Sequence, residues 1–391
     1  MTEFLPFFLI LIASVFFSEL SRRLHLPWVI ALLFAGIIIG PHSLGLVDTN
    51  ETITFLGQIG LVFLMFMAGL ESRVPNKDGS HVHTTVLALT NSIIPFIVGI
   101  SITIWLGYEW ITAILVGITF ISSSVAVIIP TLASTQILTT SIGRLIVPAI
   151  VMQDILSLVL LSLLFHAVDP VTTLPLPVFY VLLFFLLLIM RWSVPRIEWM
   201  FSRWYNHDAD TFQQEFRVVL TLLIGTVIVF EFVGLHPIIA GFFAGLILSD
   251  TIRTQEFKNK LTAISYGVFI PMFFIVTGIR TDISVLLEVR SVLFIISVIV
   301  IGSVVAKFAS GWLGARFIGK KSIESAFIGS ATIPQLSTTL AVVTSGVELA
   351  ILPPVLATAL IILSIVTTIV SPFLLRFFHN IWAITFADSG S

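Results

Sequence analysis

Among the acidic residues only Asp154 falls deep inside an apolar run; Glu19, Glu71, Glu231, Asp250 and Glu324 sit near the ends of such runs. It stands ten residues past Arg144, roughly 15 Å at the rise of a helix, which puts it near the middle of a bilayer. A carboxylate at that depth must be protonated, paired or turned toward a wet cavity, so it is a functional candidate by default. Proton and metal cation can then compete for one carboxyl, which is all that an electroneutral exchange requires. Gln153 precedes it and points about 100° away around a helix, so its amide can orient a partner or lend an oxygen without adding charge. Lys307 is the one base well inside a run, nine residues before Arg316 and so roughly 13 Å from that end. Either it snorkels along the lipid face or it partners Asp154 when no cation is bound. Its small neighbours Gly302, Ser303, Ala306, Ser310, Gly311 and Gly314 suit close helix packing and favour the second.

Two polar interruptions complete the candidate site. Ser122-Ser123-Ser124, with Pro130 after it, and Thr332, Pro334 and Gln335 break two apolar runs at similar depth. Proline removes a backbone donor and disrupts the turn before it, freeing carbonyls. Unwound backbone is tolerated at membrane depth only where it faces protein or a wet cavity. Opposed half-helix ends there place partial charges near the centre. Hydroxyls, carbonyls and one carboxylate are the oxygen ligands a hard monovalent cation prefers. His25, His42, His81, His83, His166, His207, His236 and His379 all fall in loops or at run edges, and none makes a metal pair at helical spacing.

The elements that must position these groups are set by composition. The 391 residues are 57% hydrophobic and 10% charged, with 34 Phe and a mean hydropathy of +1.12. A soluble domain carries roughly 25% charge, so lipid must cover most of this exterior. A net charge of -2 argues against nucleic acid, and zero cysteines exclude disulfides and thiolate metal sites. No phosphate-binding glycine loop points to ATP, no cofactor is called for, and the chain is not an enzyme. The first run, Phe4 to Leu20, has no small-residue cleavage site and is read as a retained helix.

Cutting at charges, Pro and Gly gives thirteen spans: 4–21, 26–40, 52–71, 84–106, 110–133, 141–166, 173–191, 214–234, 236–249, 262–280, 288–313, 323–346 and 351–377. A bilayer needs about 20 apolar residues per helix, so the second and ninth are short. Loops after odd-numbered spans carry sixteen bases, from Arg22 to Arg376, whereas loops after even-numbered spans carry only Arg280 and Arg290. The positive-inside rule then puts the N-terminus outside and the C-terminus inside a cell membrane. All eight Trp fall near span ends, and 192–212, with Trp192, Trp199 and Trp204, reads as a cytoplasmic-surface stretch.

The chain also matches itself at a shift of about 209 residues: Phe34-Ala35-Gly36 recurs as Phe243-Ala244-Gly245, Gly69-Leu70 as Gly278-Ile279, and Ser122-Ser123-Ser124 lands on Ala331-Thr332-Ile333. That shift crosses seven spans, an odd number, so the halves run oppositely through the membrane. Residues 1–166 and 214–377 are then inverted repeats joined by a connecting helix at 173–191, an arrangement that marks a transporter site at the midplane. The fold class expected is an all-α polytopic membrane protein with inverted repeats and two broken helices, spans 5 and 12.

Val151-Met152-Gln153-Asp154-Ile155, the Ser-rich break, Pro271-Met272-Phe273-Phe274 through Thr277-Gly278, and Ala306-Lys307-Phe308 with Gly314-Ala315-Arg316 carry a family resemblance. The chain resembles the monovalent cation:proton antiporter-2 family, Kef-type potassium:proton antiporters in particular, over nearly all its length. The resemblance implies a sodium/proton-antiporter fold with crossing broken helices and a homodimer in the lipid bilayer. It also implies a core of helices 84–166 and 288–377 moving elevator-like against a scaffold of 4–71 and 214–280. It further implies that Asp154 binds cation and proton in turn, that Lys307 is the family's embedded lysine, and that Gln at 153 favours electroneutral exchange, with K+ over Na+. Kef systems carry a cytoplasmic regulatory domain, so regulation here is expected from a domain or subunit absent from this chain. Sodium:proton exchange is the close alternative, because oxygen ligands alone do not set cation size. A gated cation channel is an alternative of another class, disfavoured by the lack of a Thr-Val-Gly-Tyr-Gly filter. An organic-anion symporter suits a lone Asp less well.

Overall fold

A computed structural model of the protein describes residues 4–24, 27–71, 81–168, 211–233, 236–249, 255–281 and 290–387, with isolated positions between 178 and 196. The connecting helix expected over 173–191 and the surface stretch 192–212 fall largely outside the described residues, as do His25 and His207. Among the described residues all regular structure is helical.

Helix α1 (Phe4–Leu24) is apolar until Glu19, whose carboxylate pairs with Arg22 at 2.8 Å and Arg23 at 3.2 Å. These (i, i+3) and (i, i+4) pairs lie at the helix C-terminus, where cations also meet the negative end of the dipole. Phe4, Phe8, Val15 and Phe16 are exposed along it, a surface that only lipid can cover. Helices α2 (Trp28–Ile39), α3 (Glu51–Glu71) and α4 (His81–Trp105) follow, then α5 (Trp110–Ile121), α6 (Val125–Ser134), α7 (Gly143–Val168) and α8 (Thr211–Val233). The second half holds α9 (Pro237–Leu248), α10 (Gln255–Ile264), α11 (Ile270–Ile279), α12 (Arg290–Phe317), α13 (Ser322–Ala331), α14 (Ser337–Glu348) and α15 (Pro354–Ala387). Nine stretches among the described residues are long and apolar enough to cross a membrane, two of them composite: Trp110–Ser134 joins α5 to α6, and Gln255–Ile279 joins α10 to α11. A π turn at Ser265–Phe269 makes the second joint. Pro271 withholds the donor that would reach the Gly267 carbonyl, and widening the helix by one residue accommodates that loss.

The chain forms two compact units. The first comprises residues 1–53, 74–164 and 274–391, so it includes α1 and α2 together with both interrupted helices; the second comprises 54–73 and 165–273. In the first unit α2 and α11 meet backbone to backbone: a Cβ on Gly36 would lie 2.0 Å from the Ile275 carbonyl oxygen, and one on Gly278 2.3 Å from that of Leu33. In the second unit α3 and α9 meet in the same way, with Gly69 against the Phe242 carbonyl and Gly245 against that of Phe66, each at 2.1 Å from an added Cβ. Small residues at crossings are how membrane helices gain contact where no hydrophobic force drives them together.

Both interruptions lie in the first unit. Residues 122–124 leave the helix in extended conformations, with Ser122 at φ -57 and ψ 146 and Ser124 at φ -88 and ψ 107. Serine hydroxyls offer backbone groups an alternative to helical bonds, which is why three in a row release the chain here. Pro130 was expected to mark this break. It lies instead inside α6, six residues into a helix that runs through it, and the carbonyl it orphans belongs only to the first turn. The second interruption separates α13 from α14, and there Pro334 does lie in the non-helical stretch. Its missing N–H leaves the Ser330 carbonyl to accept from Ser371 Oγ at 2.7 Å. The interruptions bond to each other: the Ser124 N–H donates to the Pro334 carbonyl at 2.6 Å, and Ser123 Oγ to the Thr332 carbonyl at 2.9 Å. Beside them Leu87, Ile128, Leu132, Ile146, Phe327 and Leu375 form a fully buried apolar cluster that fixes α4, α6, α7, α13 and α15 around the breaks.

Gly36→Val and Gly245→Val place a branched side chain where a single Cβ already overlaps backbone. Each is expected to lower the thermal midpoint in detergent sharply or to prevent a monodisperse preparation, since overpacking costs about 1–3 kcal/mol or more. Gly225→Ala, where an added Cβ meets nothing within 4 Å, should leave the midpoint unchanged or raise it.

Candidate functional site

Asp154 projects from α7 to the place where the two interruptions touch. Its Oδ1 accepts from Ser122 Oγ at 3.1 Å and from Thr338 Oγ1 at 3.4 Å, and the backbone N–H of Ser123 also donates to the carboxylate. Ser122 and Ser123 end one half-helix pair; Thr338 lies in the first turn of α14. The carboxylate is therefore held between the C-cap residue of α5 and the first turn of α14, and the N-terminal end of α14 favours negative charge.

Gln153 faces the other way and is fully buried. Its Oε1 accepts from Lys307 Nζ at 3.0 Å and, 2.9 Å from Ser123 Oγ, shares that hydroxyl's one proton with the Thr332 carbonyl, while its Nε2 has no hydrogen-bond partner. The ammonium decides which way this amide lies, because a flipped NH2 would face another donor. Lys307 is also fully buried, which rules out snorkelling in this conformation. Its Nζ donates to the carbonyls of Ile121 at 2.8 Å and Asn91 at 3.4 Å as well as to Gln153. Ile121 is the last residue of α5, so the ammonium sits at the negative end of that half-helix. The sequence led us to expect a direct pairing with Asp154; among the described residues Lys307 and Asp154 make no ion-pair contact within 4 Å, although the two remain electrostatically coupled. The three acceptors of Lys307 are the neutral oxygens of Asn91, Ile121 and Gln153. Burying a charge demands such partners, and three oxygens supply them without a counter-ion.

Thr332 and Gln335 belong to the cluster but not to the shell around the carboxylate. Thr332 Oγ1 shares its one proton between the Gly329 carbonyl at 2.9 Å and the Lys307 carbonyl at 3.2 Å. Gln335 accepts from Ser303 Oγ at 3.2 Å and gives its Nε2 to the Phe120 carbonyl at 3.3 Å; Thr367 Oγ1 bonds its backbone. Ser124 Oγ and Thr339 Oγ1, both buried at the interruptions, have no protein partner. Sequence reasoning missed Thr338, Ser303, Thr367 and Asn91. The first three are hydroxyls indistinguishable from those that satisfy their own helix. Asn91 carried a usable signal, an amide inside an apolar run four residues before Pro95.

A cavity of about 300 Å³ lies in the same unit, bordered by His42, Thr277, Arg280, Thr344, Val347 and Thr358. Arg280 and Glu348 pair across 2.9 Å beside it. Val343, also in its wall, is five residues beyond Thr338 on α14, roughly 7.5 Å of helical rise.

A membrane-embedded acid joined to two broken helices, with a buried ammonium satisfied by neutral oxygens, defines an ion-handling membrane protein with helical transporter architecture. The family model described as sodium/hydrogen exchanger, transmembrane, matches residues 8–380, and the chain belongs to that family. It is 30% identical over 383 residues to a Na+/H+ antiporter of Enterococcus hirae, covering 95% of this chain and 96% of that one. It is 29% identical over 377 residues to the protein named probable Na+/H+ antiporter 3 of Methanocaldococcus jannaschii, covering 95% of each. The fold is similar to that of the sodium proton antiporter MjNhaP1 from the same organism, with a TM-score of 0.65 at 15% identity over 95% of this chain and 96% of that one. These findings correct the resemblance to the antiporter-2 family and its Kef-type potassium members: the matching family and these relatives are sodium/hydrogen exchangers. The Gln-Asp pair, the serine break and the embedded lysine are short local patterns, and they did not separate this family from the antiporter-2 family.

Lys307→Ala leaves the buried Asn91 and Ile121 carbonyls without the lysine's protons, at about 1–3 kcal/mol each, while Gln153 Oε1 keeps Ser123 Oγ. A thermal-melt comparison should show a large loss of stability for this variant and almost none for Lys320→Ala, a lysine in the short loop between α12 and α13.

Proposed function

We propose that this protein exchanges sodium for protons, one for one, with both ions taking turns on Asp154. The observation that carries the reading is the Asp154 carboxylate bonded to hydroxyls from both interruptions, Ser122 and Thr338. Sodium would take one carboxylate oxygen and these hydroxyls as ligands, with Ser124 Oγ and Thr339 Oγ1, which lack protein partners, close by in sequence to complete an oxygen shell. Hard cations of this size take such ligands. A proton arriving on the carboxyl removes its charge and releases the ion. Lys307 keeps its neutral oxygen cradle through the exchange, so one titrating group handles one cation and the cycle carries no net charge.

Alternating access in this reading follows from inverted repeats, 1–166 and 214–377, with a core of 84–166 and 288–377 moving against a scaffold of 4–71 and 214–280 in a homodimer, N-terminus outside. What supports the repeat is contact symmetry. Ser123 bonds to Thr332, a separation of 209 residues, and the same shift carries the glycine crossing of Gly36 with Gly278 onto that of Gly245 with Gly69. The cavity walled by Thr277, Thr344 and Thr358 is the natural route for a hydrated ion toward Thr338.

In proteoliposomes holding an imposed pH gradient, added sodium should collapse the gradient at a rate indifferent to membrane potential. Half-saturation should move to higher sodium as the medium is acidified, because the two ions compete. Asp154→Asn should fold, melt near the parent temperature and show less than about one hundredth of the exchange. Exchange at the parent rate in that variant would remove Asp154 from the mechanism.

A further inference from the structure

The cradle around Lys307 contains a feature that its charge alone does not require. Two of its three oxygens are backbone carbonyls that an uninterrupted helix would have occupied. Ile121 ends α5, so its carbonyl is released by the serine break. Asn91 is different: it lies inside continuous α4, where its carbonyl should accept the N–H of the residue four places on. That residue is Pro95, which has no N–H to give. The carbonyl so exposed accepts from Lys307 Nζ at 3.4 Å.

The same asparagine also grips the other end of the lysine. Its Nδ2 has three acceptors in reach of its two protons, the Lys307 carbonyl and Ser310 Oγ at 2.8 Å and Thr332 Oγ1 at 3.1 Å. One residue thus ties α4 to α12 and to the second interruption. Gly311 admits it, since a Cβ there would come within 2.6 Å of Thr332 Oγ1 and 3.2 Å of Asn91 Nδ2.

We propose that Asn91, its carbonyl exposed by Pro95, is a positioning residue that holds the Lys307 ammonium away from Asp154. An ammonium on a flexible four-carbon stem and a carboxylate on the adjacent helix attract strongly in a site without bulk water. Left loose, the lysine would pair with the acid and compete with the transported cation for it. Fixed on Asn91, Ile121 and Gln153, it leaves the carboxylate to the ion. This inference rests on sodium:proton exchange at Asp154.

Pro95→Ala tests it without altering any side chain that touches the ammonium or the carboxylate. Alanine restores an N–H at position 95, which reclaims the Asn91 carbonyl for the helix, and alanine is the best helix former. With one acceptor lost, the apparent KM for sodium in proteoliposomes should rise about fivefold or more, while the rate at saturating sodium stays near that of the parent. Asn91→Ala removes the grip on the Lys307 backbone instead and should move KM in the same direction. A role in packing alone would lower the yield of folded protein or the saturated rate and leave KM where it was. An unchanged KM in whichever of the two variants folds overturns the inference. Parent protein that shows no sodium-dependent exchange would overturn the exchange reading itself, a result visible before any variant is compared.

Discussion

Everything in this molecule answers to one constraint: inside a bilayer each polar group must find its partner within the protein, because no water is there to supply one. A helix meets that demand by itself, so every departure from helix at membrane depth creates debts that neighbouring elements have to settle. The two interruptions settle theirs mutually. Ser124 donates its N–H to the Pro334 carbonyl and Ser123 its hydroxyl to that of Thr332, and the leftover ends become the site. Asp154 bonds to Ser122 in one break and to Thr338 in the first turn beyond the other, and Lys307 to the last carbonyl of α5. Among the described residues the acid and the lysine make no direct contact, and each is satisfied by its own set of oxygens and hydroxyls.

In the proposed exchange that arrangement matters: a buried ion pair would satisfy both partners, whereas an acid bonded by hydroxyls can change its occupant. Gln153 accepts from Lys307 with its oxygen and adds no charge beside the single carboxyl. Proline works twice in support, by different means. Pro334 lies in a break and sends the Ser330 carbonyl to Ser371, whereas Pro95 stays inside a straight-through helix and merely uncovers an oxygen.

Each of the two units also has a helix crossing in which backbones meet at glycines. Gly36 with Gly278, and Gly69 with Gly245, allow carbonyls to approach where any side chain would collide. These crossings are made of shape alone and carry no polar bond, which suits a lipid environment in which apolar side chains gain nothing by leaving the solvent. Gly311 applies the same device at the site, giving Asn91 and Thr332 access to the Lys307 backbone.

Much of the helical layout was legible because hydrophobicity and helix length are one-dimensional properties: a run of about 20 apolar residues has only one use. The singular acid, the singular base and the serine and Pro-Gln interruptions were legible for a related reason, since polar groups at such depth are costly and so stand out. Pro130 misled, because a proline near a helix start disturbs little and the serines had already ended the helix before it. The family was misread from motifs that describe a kind of site and not a lineage. Which groups touch which was beyond the linear chain. That Lys307 meets Gln153 and not Asp154, that Thr338 completes the carboxylate shell, and that Asn91 reaches across from α4 are outcomes of three helices and two breaks converging. A side chain's partners depend on the angles at which its neighbours cross, and those angles are settled by glycine contacts far apart in sequence.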